Sequence, residues 1–460
     1  MTTADERAYR AALAALLALP DYERGTGRAS GGVPFNLDRP RALLRALDNP
    51  QLARPTILIA GSKGKGSTAA LIESILRAHG LRTLLYTQPH LNDYRERVRL
   101  DGRLIDPGMF ARCAERVADA AQRLQRERPD LGLATTYEQT TALAFLAARE
   151  QQVDWAVVEV GLGGRLDATN LSDPLVSVIT PIGLEHRAIL GDTLAAIAGE
   201  KAAILRPARP AVAASQTEEA LAVIRARAAA LGARLVVAPD ASSAAVQAVA
   251  SVLHVGASEM PRAAWHLSVQ MPWRRYQDLA LPLPGAFQVG NLCTALYTVE
   301  ALPGADEWLD PVAVRRGVAA VRWPGRVEVA RTPPLVVLDG AHTVESAQEL
   351  ARALRLHFRW RALTTIFACL EDKDAAGMLQ VLAPLSDRLV LTTTHHPRAR
   401  PAQELRRIAA QLGLEAETAA SVAAALDRAL ASAAGDDAIC VSGSLSAVGE
   451  ARACLGLPVE

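Results

Sequence analysis

The stretch TILIAGSKGKGSTAALIESILRAHG, residues 56–80, carries three messages in order. A short apolar, β-branched run (56–60) reads as a buried strand, and apolar residues at helical spacing after Ser67 run to a stop at Gly80. Between them Gly61, Ser62, Lys63, Gly64, Lys65, Gly66 and Ser67 form a turn. A glycine-rich turn between strand and helix lets backbone N–H groups face an anion, and the helix N-terminus adds partial positive charge. The match to the strict phosphate-loop spacing is imperfect, because Ile59 stands at the first glycine position and Gly66 separates Lys65 from Ser67. The other reading of the same residues is a flexible turn with solvated lysines. The strand–helix context favours phosphate, with Lys65 as a compact point charge where an Arg fork would be too bulky, and Ser67 as a Mg²⁺ ligand.

Working outward, the same alternation recurs. DWAVVEV (154–160), LVSVIT (175–180), PLVVLDG (334–340), LTTIFACL (363–370) and AICVSGS (438–444) read as buried strands separated by helices. Near-continuous apolar strands of this kind predict a parallel α/β sheet with helices on both faces. Residues 240–285 break the pattern and predict antiparallel β structure with a proline-rich exit. A junction at VAAVRWPGRVEV (318–329) places a domain boundary near Val321, dividing the chain into 1–321 and 322–460. In open α/β sheets, ligands sit beyond the carboxyl ends of the strands. Gly61, Glu159, Thr180 ahead of His186, and Asp339 all fall at such ends.

Composition narrows the function. Net charge is +1 and 22% of residues are charged, with arginines dispersed among acids, so no nucleic-acid or anionic-membrane surface is expected. The polar N-terminus does not read as a secretory signal, and the apolar run near it reads as too short to span a bilayer. Five scattered cysteines without a CxxC pair suggest neither zinc nor disulfides, and a cytoplasmic location is expected.

Only four of the fifty basic residues are lysine: Lys63, Lys65, Lys201 and Lys373. Two lie in the turn. Lys201 falls in the apolar stripe of GDTLAAIAGEKAAIL (191–205), beside Ile197, Ala198 and Ile204. A lysine there is either snorkelling to water or desolvated, with a lowered pKa and a nucleophilic amine. Glu159 and His186 are either structural or, beside a phosphate loop, Mg²⁺ or Mn²⁺ ligands. Arg326, Asp339 and His342 are as compatible with turn chemistry as with catalysis.

Ten ordered segments, DNPQ…TILIAGSKGKGST, QPHLNDYRERVRLDGRLI, TTYEQTTALAF, VDWAVVEVGLGGRLDATN, VITPIGLEHRAILGDTLAAIAGEKAAI, GAFQVGNLCTAL, WPGRVEV, LDGAHT, EDKD and SGSLSAVGEAR, resemble the folylpolyglutamate synthase/dihydrofolate synthase family of Mur-type amide ligases. The resemblance implies a P-loop ATP-binding domain, a smaller Rossmann-like C-terminal domain, and ATP held between them. It implies ATP, two Mg²⁺ sites and room for K⁺. By the same resemblance Ser67, Glu159 and His186 are metal ligands, and Lys201 is carbamylated by CO₂ to hold the second metal. Asn291 contacts adenine, while Arg326, Asp339 and His342 form a nucleotide and catalytic group. Gln88, Pro89, His90, Arg97, Tyr137, Glu138 and Ser444 line the substrate side. The implied reaction joins L-glutamate to dihydropteroate or a reduced folate through an acyl phosphate, in a monomer. A Mur-type ligase acting on a non-folate carboxylate is the alternative. The chain departs from the family pattern at Gln88 (Ser), Glu185 (Asp), Phe287 (His), Thr343 (Asn) and Lys63 (Asn).

Overall fold

The computed structural model describes residues 3–21, 36–255 and 264–459. The first two residues of the N-terminal reading, and 256–263 of the expected antiparallel region, lie outside them. The chain divides into two compact units, one of Met1–His90, Arg95–Asp240 and Gly290–Gly317, the other of Leu91–Tyr94, Ala241–Val289 and Val318–Glu460. Among the described residues no helix is long and apolar enough to cross a membrane.

The first unit is organised by eight strands: β1 (Thr56–Ala60), β2 (Thr83–Tyr86), β3 (Val98–Leu100), β4 (Arg103–Leu104), β5 (Trp155–Glu159), β6 (Val176–Ile179), β7 (Pro210–Ala213) and β8 (Arg234–Val237). Their order is β4-β3-β2-β5-β1-β6-β7-β8. From β2 to β8 every pairing is parallel. The edge hairpin β3–β4, joined antiparallel to β2, was not legible from the apolar runs. β1, at the centre, is buried along its whole length, so alternation is absent where both faces are covered.

The helix Lys65–Ala78 is buried continuously from Ser67 to Leu76. Two of its buried polar side chains find partners inside the protein. Glu73 accepts from the Thr83 hydroxyl at 2.7 Å and from Arg77 at 3.2 Å, and Ser74 donates to the carbonyl of Gly317 at 2.7 Å. The helix Thr136–Glu150 opens with a capping box between Thr135 and Glu138. Glu138 also closes a buried ion pair. Arg39, whose side chain is 2% exposed, grips both its oxygens at 2.7 and 2.8 Å.

The second unit carries β9 (Val246–Ala250), β10 (Leu253–His254), β11 (Trp265–Gln270), β12 (Arg275–Leu281), β13 (Glu328–Arg331), β14 (Leu335–Leu338), β15 (Phe358–Arg359), β16 (Leu363–Phe367), β17 (Arg388–Leu391), β18 (Glu417–Thr418) and β19 (Ala438–Ser442). Six form a sheet in the order β13-β14-β19-β16-β17-β18, parallel except at β13. Successive residues of β14 feed opposite cores. Leu335 and Val337 join Leu350, Leu354 and Met378, while Val336 and Leu338 join Leu426 and Val448. The expected antiparallel region forms the small sheet β12-β11-β9.

The Arg39–Glu138 pair is a buried charge contact, so losing one partner strands the other. Arg39→Ala is expected to cost about 3–5 kcal/mol in urea unfolding, and Arg39→Met with Glu138→Leu to recover most of it. Equal loss in both variants would show that packing, not the ion pair, matters there.

Candidate active site

Four neighbouring strand ends assemble the site in the first unit: Gln88 follows β2, Glu159 ends β5, Gly61 follows β1 and Thr180 follows β6. The turn after β1 is pinned from beneath, since Ser62 and Lys63 donate their N–H groups to the carbonyl of Pro181 at 2.9 and 3.1 Å. Gly61 sits at φ +149°, and a Cβ there would fall 1.9 Å from the Thr180 hydroxyl oxygen. Only glycine fits so close to β6. Gly64, at φ +81°, precedes the helix, and a Cβ on it would meet Oδ1 of Asn291 at 2.3 Å. Asn291 therefore lies directly against the turn.

Lys65 and Lys201 converge on one atom. The carbonyl oxygen of Gly61 accepts from Lys65 Nζ at 3.1 Å and from Lys201 Nζ at 2.8 Å. Lys65 also lies 3.8 Å from Glu159 Oε1, and Lys201 donates to Glu185 Oε1 at 3.0 Å. The side chain of Lys201 is 2% exposed, so it does not snorkel to water. Burial, then the charge of Lys65, lowers its pKa to about 8 against the opposing pull of Glu185. Burial works against ionisation of Glu185, but Lys201 and Lys65 outweigh it and hold that carboxyl below its usual range. Glu159 is buried, and one of its oxygens faces the backbone N–H of Gln88 at 3.4 Å. His186 is exposed at φ +48°, at the start of the short helix Arg187–Leu190.

Among the described residues no group of three or more His, Cys, Asp or Glu is gathered to hold a metal. Mg²⁺ is commonly held by one or two carboxylates plus substrate phosphates rather than by a complete protein cage. A buried Glu159 beside a phosphate-type loop, with Ser67 at the helix start, fits that mode of binding.

Beside the loop, a second group forms around a residue the sequence reading passed over. Asp167, buried at the start of a short helical turn, accepts from the Tyr137 hydroxyl at 2.7 Å, the Gly161 and Leu162 N–H groups at 3.1 Å, and Thr169. Its signal was local: an Asp directly before Ala-Thr-Asn is a capping pattern. Burial first, then the charge of Asp167, pushes the Tyr137 phenol well above its usual pKa. Arg97 donates to His90 Nδ1 at 3.0 Å, and Pro89 follows Gln88 through a cis bond. Glu138, expected on the substrate side, has its carboxylate committed to Arg39 and to the N–H of Thr135.

In the second unit Asp339, just past β14, accepts from the N–H groups of Val327 at 2.9 Å and Ala341 at 2.8 Å. Burial raises its pKa, and Arg326 and those two N–H groups restrain the rise. The Nδ1–H of His342 donates to the Gly340 carbonyl at 2.8 Å. Thr343 caps the helix Val344–His357, accepting from Ser346 N at 3.2 Å, so the hydroxyl fills the place of a capping Asn. Ser444 likewise caps Leu445–Cys454.

Comparison with known proteins agrees with this architecture. The Mur ligase middle domain matches residues 59–299, and the glutamate ligase domain of Mur ligases matches 325–445. The fold and the site thus define a Mur-type ligase. The dihydrofolate synthase/folylpolyglutamate synthase of Mycobacterium tuberculosis is 38% identical over 383 residues, covering 80% of this chain and 76% of that one. A folylpolyglutamate synthase structure from the same organism, complexed with ADP and AMPPCP, superposes with a TM-score of 0.85 at 32% identity, covering 99% of this chain and 100% of that one. A probable bifunctional folylpolyglutamate synthase/dihydropteroate synthase of Haloferax volcanii is 38% identical over 90% of this chain. This chain spans 47% of that relative's length. The chain belongs to the folylpolyglutamate synthase/dihydrofolate synthase family.

Lys201 yields a pH test with a definite sign. Its folded pKa of about 8 lies below the ordinary 10.5, so between those values the unfolded chain binds the extra proton. Stability should therefore rise with pH across that window in the wild type relative to Lys201→Met, read by urea unfolding at pH 7.5 and 10. Parallel pH curves for the two proteins would mean that Lys201 titrates normally.

Proposed function

We propose that this chain is an ATP-dependent ligase that joins L-glutamate to the carboxylate of dihydropteroate or a reduced folate, forming ADP and phosphate. The observation that carries the reading is the convergence of Lys65 and Lys201 on the Gly61 carbonyl beside buried Glu159, in a chain of this family. The ADP and AMPPCP bound by the mycobacterial relative support ATP as the nucleotide. Residues 1–321 then serve as the ATP-binding domain and 322–460 as the C-terminal ligase domain, in a monomeric, cytoplasmic protein.

A carboxylate is a poor electrophile. Its oxygen attacks the γ-phosphorus of ATP, ADP leaves, and an acyl phosphate results; the amine of L-glutamate then attacks the acyl carbon and phosphate departs with the C–O electron pair. The N–H groups at the helix start, from Gly64 to Ser67, cradle the phosphates, those of Ser62 and Lys63 being held by Pro181, and Lys65 places one compact positive charge where negative charge is transferred. Mg²⁺, when bound, neutralises charge on the phosphoryl oxygens, and Ser67, Glu159 and His186 are the residues we assign to hold it. Lys201, buried with a lowered pKa, has the neutral amine fraction that reaction with CO₂ requires, and we assign it as the carbamylated lysine. Asn291 is assigned to adenine, and Arg326, Asp339 and His342 to the nucleotide from the C-terminal domain. Gln88, Pro89, His90, Arg97, Tyr137 and Ser444 are assigned to the substrates. Glu138 is assigned there only through the helix it anchors.

Phosphate release with Mg-ATP and L-glutamate, with dihydropteroate or tetrahydrofolate in separate reactions and products weighed by mass spectrometry, tests the reading. A one-glutamate gain on either supports it, and no gain on both refutes it. Lys65→Ala should abolish turnover. Lys201→Ala should lose activity that short carboxylic acids partly restore.

A further inference from the structure

The segment DNPQ (48–51) and the chain that enters β1 after it have no part in the site described above. Asp48 and Asn49 both take left-handed backbone, at φ +59° and +48°, and Arg149 donates to the carbonyls of Leu47 and Asp48 at 2.8 and 3.3 Å. The helical turn Pro50–Leu52 follows, and then Arg54. The Thr56 hydroxyl donates to the Arg54 carbonyl at 3.2 Å, and the Leu175 N–H, just ahead of β6, donates to the Thr56 carbonyl at 2.9 Å. These residues therefore sit at the amino ends of β1 and β6. The phosphate-type loop lies at the other end of β1, five residues or about 17 Å along the strand. A cleft of about 380 Å³ opens at the amino ends, lined by Gln51, Leu52, Arg54, Pro55, Asp173 and Leu175. That volume suits one small molecule.

The charges of this lining do not balance. Arg54 is half-buried, with Nε covered, and its guanidinium makes no hydrogen bond or ion pair with the described residues. Gln51 is 6% exposed; its Nε2 donates to Asn49 at 3.3 Å, while Oε1 has no partner among the described residues. Asp173, by contrast, is engaged. Arg209 donates to its carboxylate at 2.6 Å and to the carbonyls of Asp173 and Pro174 at 2.9 and 2.7 Å. Burial lowers the pKa of Arg206; Asp173 opposes the fall, and the charges of Arg209 and Arg227 add to it. Asp173 thus answers Arg206 and Arg209 together, and Arg54 adds positive charge with no carboxylate of its own. Surplus positive charge draws anions into a cleft, and a guanidinium fork matches a carboxylate. A dianion is opposed by Asp173 in the same lining. A ligand that also carries an N–H donor turns Asp173 and Gln51 Oε1 into acceptors for it. Leu52, Pro55 and Leu175 supply apolar surface for the remainder.

We propose that this cleft is a second ligand site, for a small amino carboxylate with an apolar body. The carboxylate is held by Arg54, the amine faces Gln51 and Asp173, and the body lies on Leu52, Pro55 and Leu175. The inference goes beyond the ligase reading and does not depend on it. L-glutamate is disfavoured here, because its second carboxylate meets Asp173 and it lacks an apolar end.

The test is calorimetric titration of the full-length protein, without nucleotide, with L-phenylalanine as the probe. Three analogues are run beside it: 3-phenylpropionate lacks the amine, L-phenylalaninamide lacks the carboxylate, and phenyl phosphate carries a second negative charge. L-phenylalanine is expected to bind in the millimolar range, with each analogue about fivefold or more weaker. Arg54→Met should weaken L-phenylalanine by about tenfold, with Tm and AMPPCP binding unchanged. Asp173→Asn should narrow the preference for L-phenylalanine over 3-phenylpropionate. Wild type that binds no L-phenylalanine overturns the proposal, as does equal binding by Arg54→Met. Phenyl phosphate bound as tightly as L-phenylalanine also overturns it, because the cleft is then a general anion surface. Should Arg54→Met lower Tm, the Asp173→Asn comparison decides: an unaltered preference between the two carboxylates overturns the assignment.

Discussion

One carbonyl oxygen, that of Gly61, accepts hydrogen bonds from two lysines, and most of the first unit can be understood as what makes that arrangement tolerable. Two ammonium groups near one acceptor repel each other, and burial adds a desolvation cost to Lys201. Counter-charge arrives from two directions, Glu159 toward Lys65 and Glu185 toward Lys201. Each belongs to a different strand end, so the balance exists only when β5, β1 and β6 lie side by side. Close approach is equally binding: the turn can reach both lysines only because no Cβ at Gly61 stands between it and Thr180.

That arrangement also explains the chain's economy with lysine. Arginine grips carboxylates with a bidentate fork and is used almost everywhere else, as in the buried Arg39–Glu138 pair. A guanidinium keeps its charge when buried and needs space for a planar fork. A primary amine is compact and can be shifted toward its neutral form by its surroundings. At Lys201 burial, then the charge of Lys65, shifts it so, to about 8.

The sheet places chemistry by a general rule and then adds local particulars. Carboxyl ends of parallel strands bring Gln88, Gly61, Glu159 and Thr180 to one edge of the first unit, and Asp339 to the corresponding edge of the β14 strand in the second. Within that frame, capping residues do much of the local positioning. Asp167 starts a helical turn and thereby meets Tyr137, while Thr343 and Ser444 begin helices in the second unit.

By itself the sequence determined the strand–loop–helix opening, the parallel α/β character, the polar turn and the anomaly of Lys201, because these are properties of neighbouring residues: apolar runs, glycine spacing and a charge in an apolar stripe. Tertiary structure alone decided the rest. That Lys65 and Lys201 share one acceptor, that Glu185 rather than a residue of its own helix answers Lys201, and that Asp167 saturates itself on Tyr137 all join residues distant in the chain. Glu138 shows the same limit from the other side: its motif pointed to substrate, and only the fold reveals Arg39, ninety-nine residues away, holding both its oxygens. Periodicity reports which face of an element is buried, whereas hydrogen-bond partners and pKa shifts depend on distances that exist only after the strands have paired.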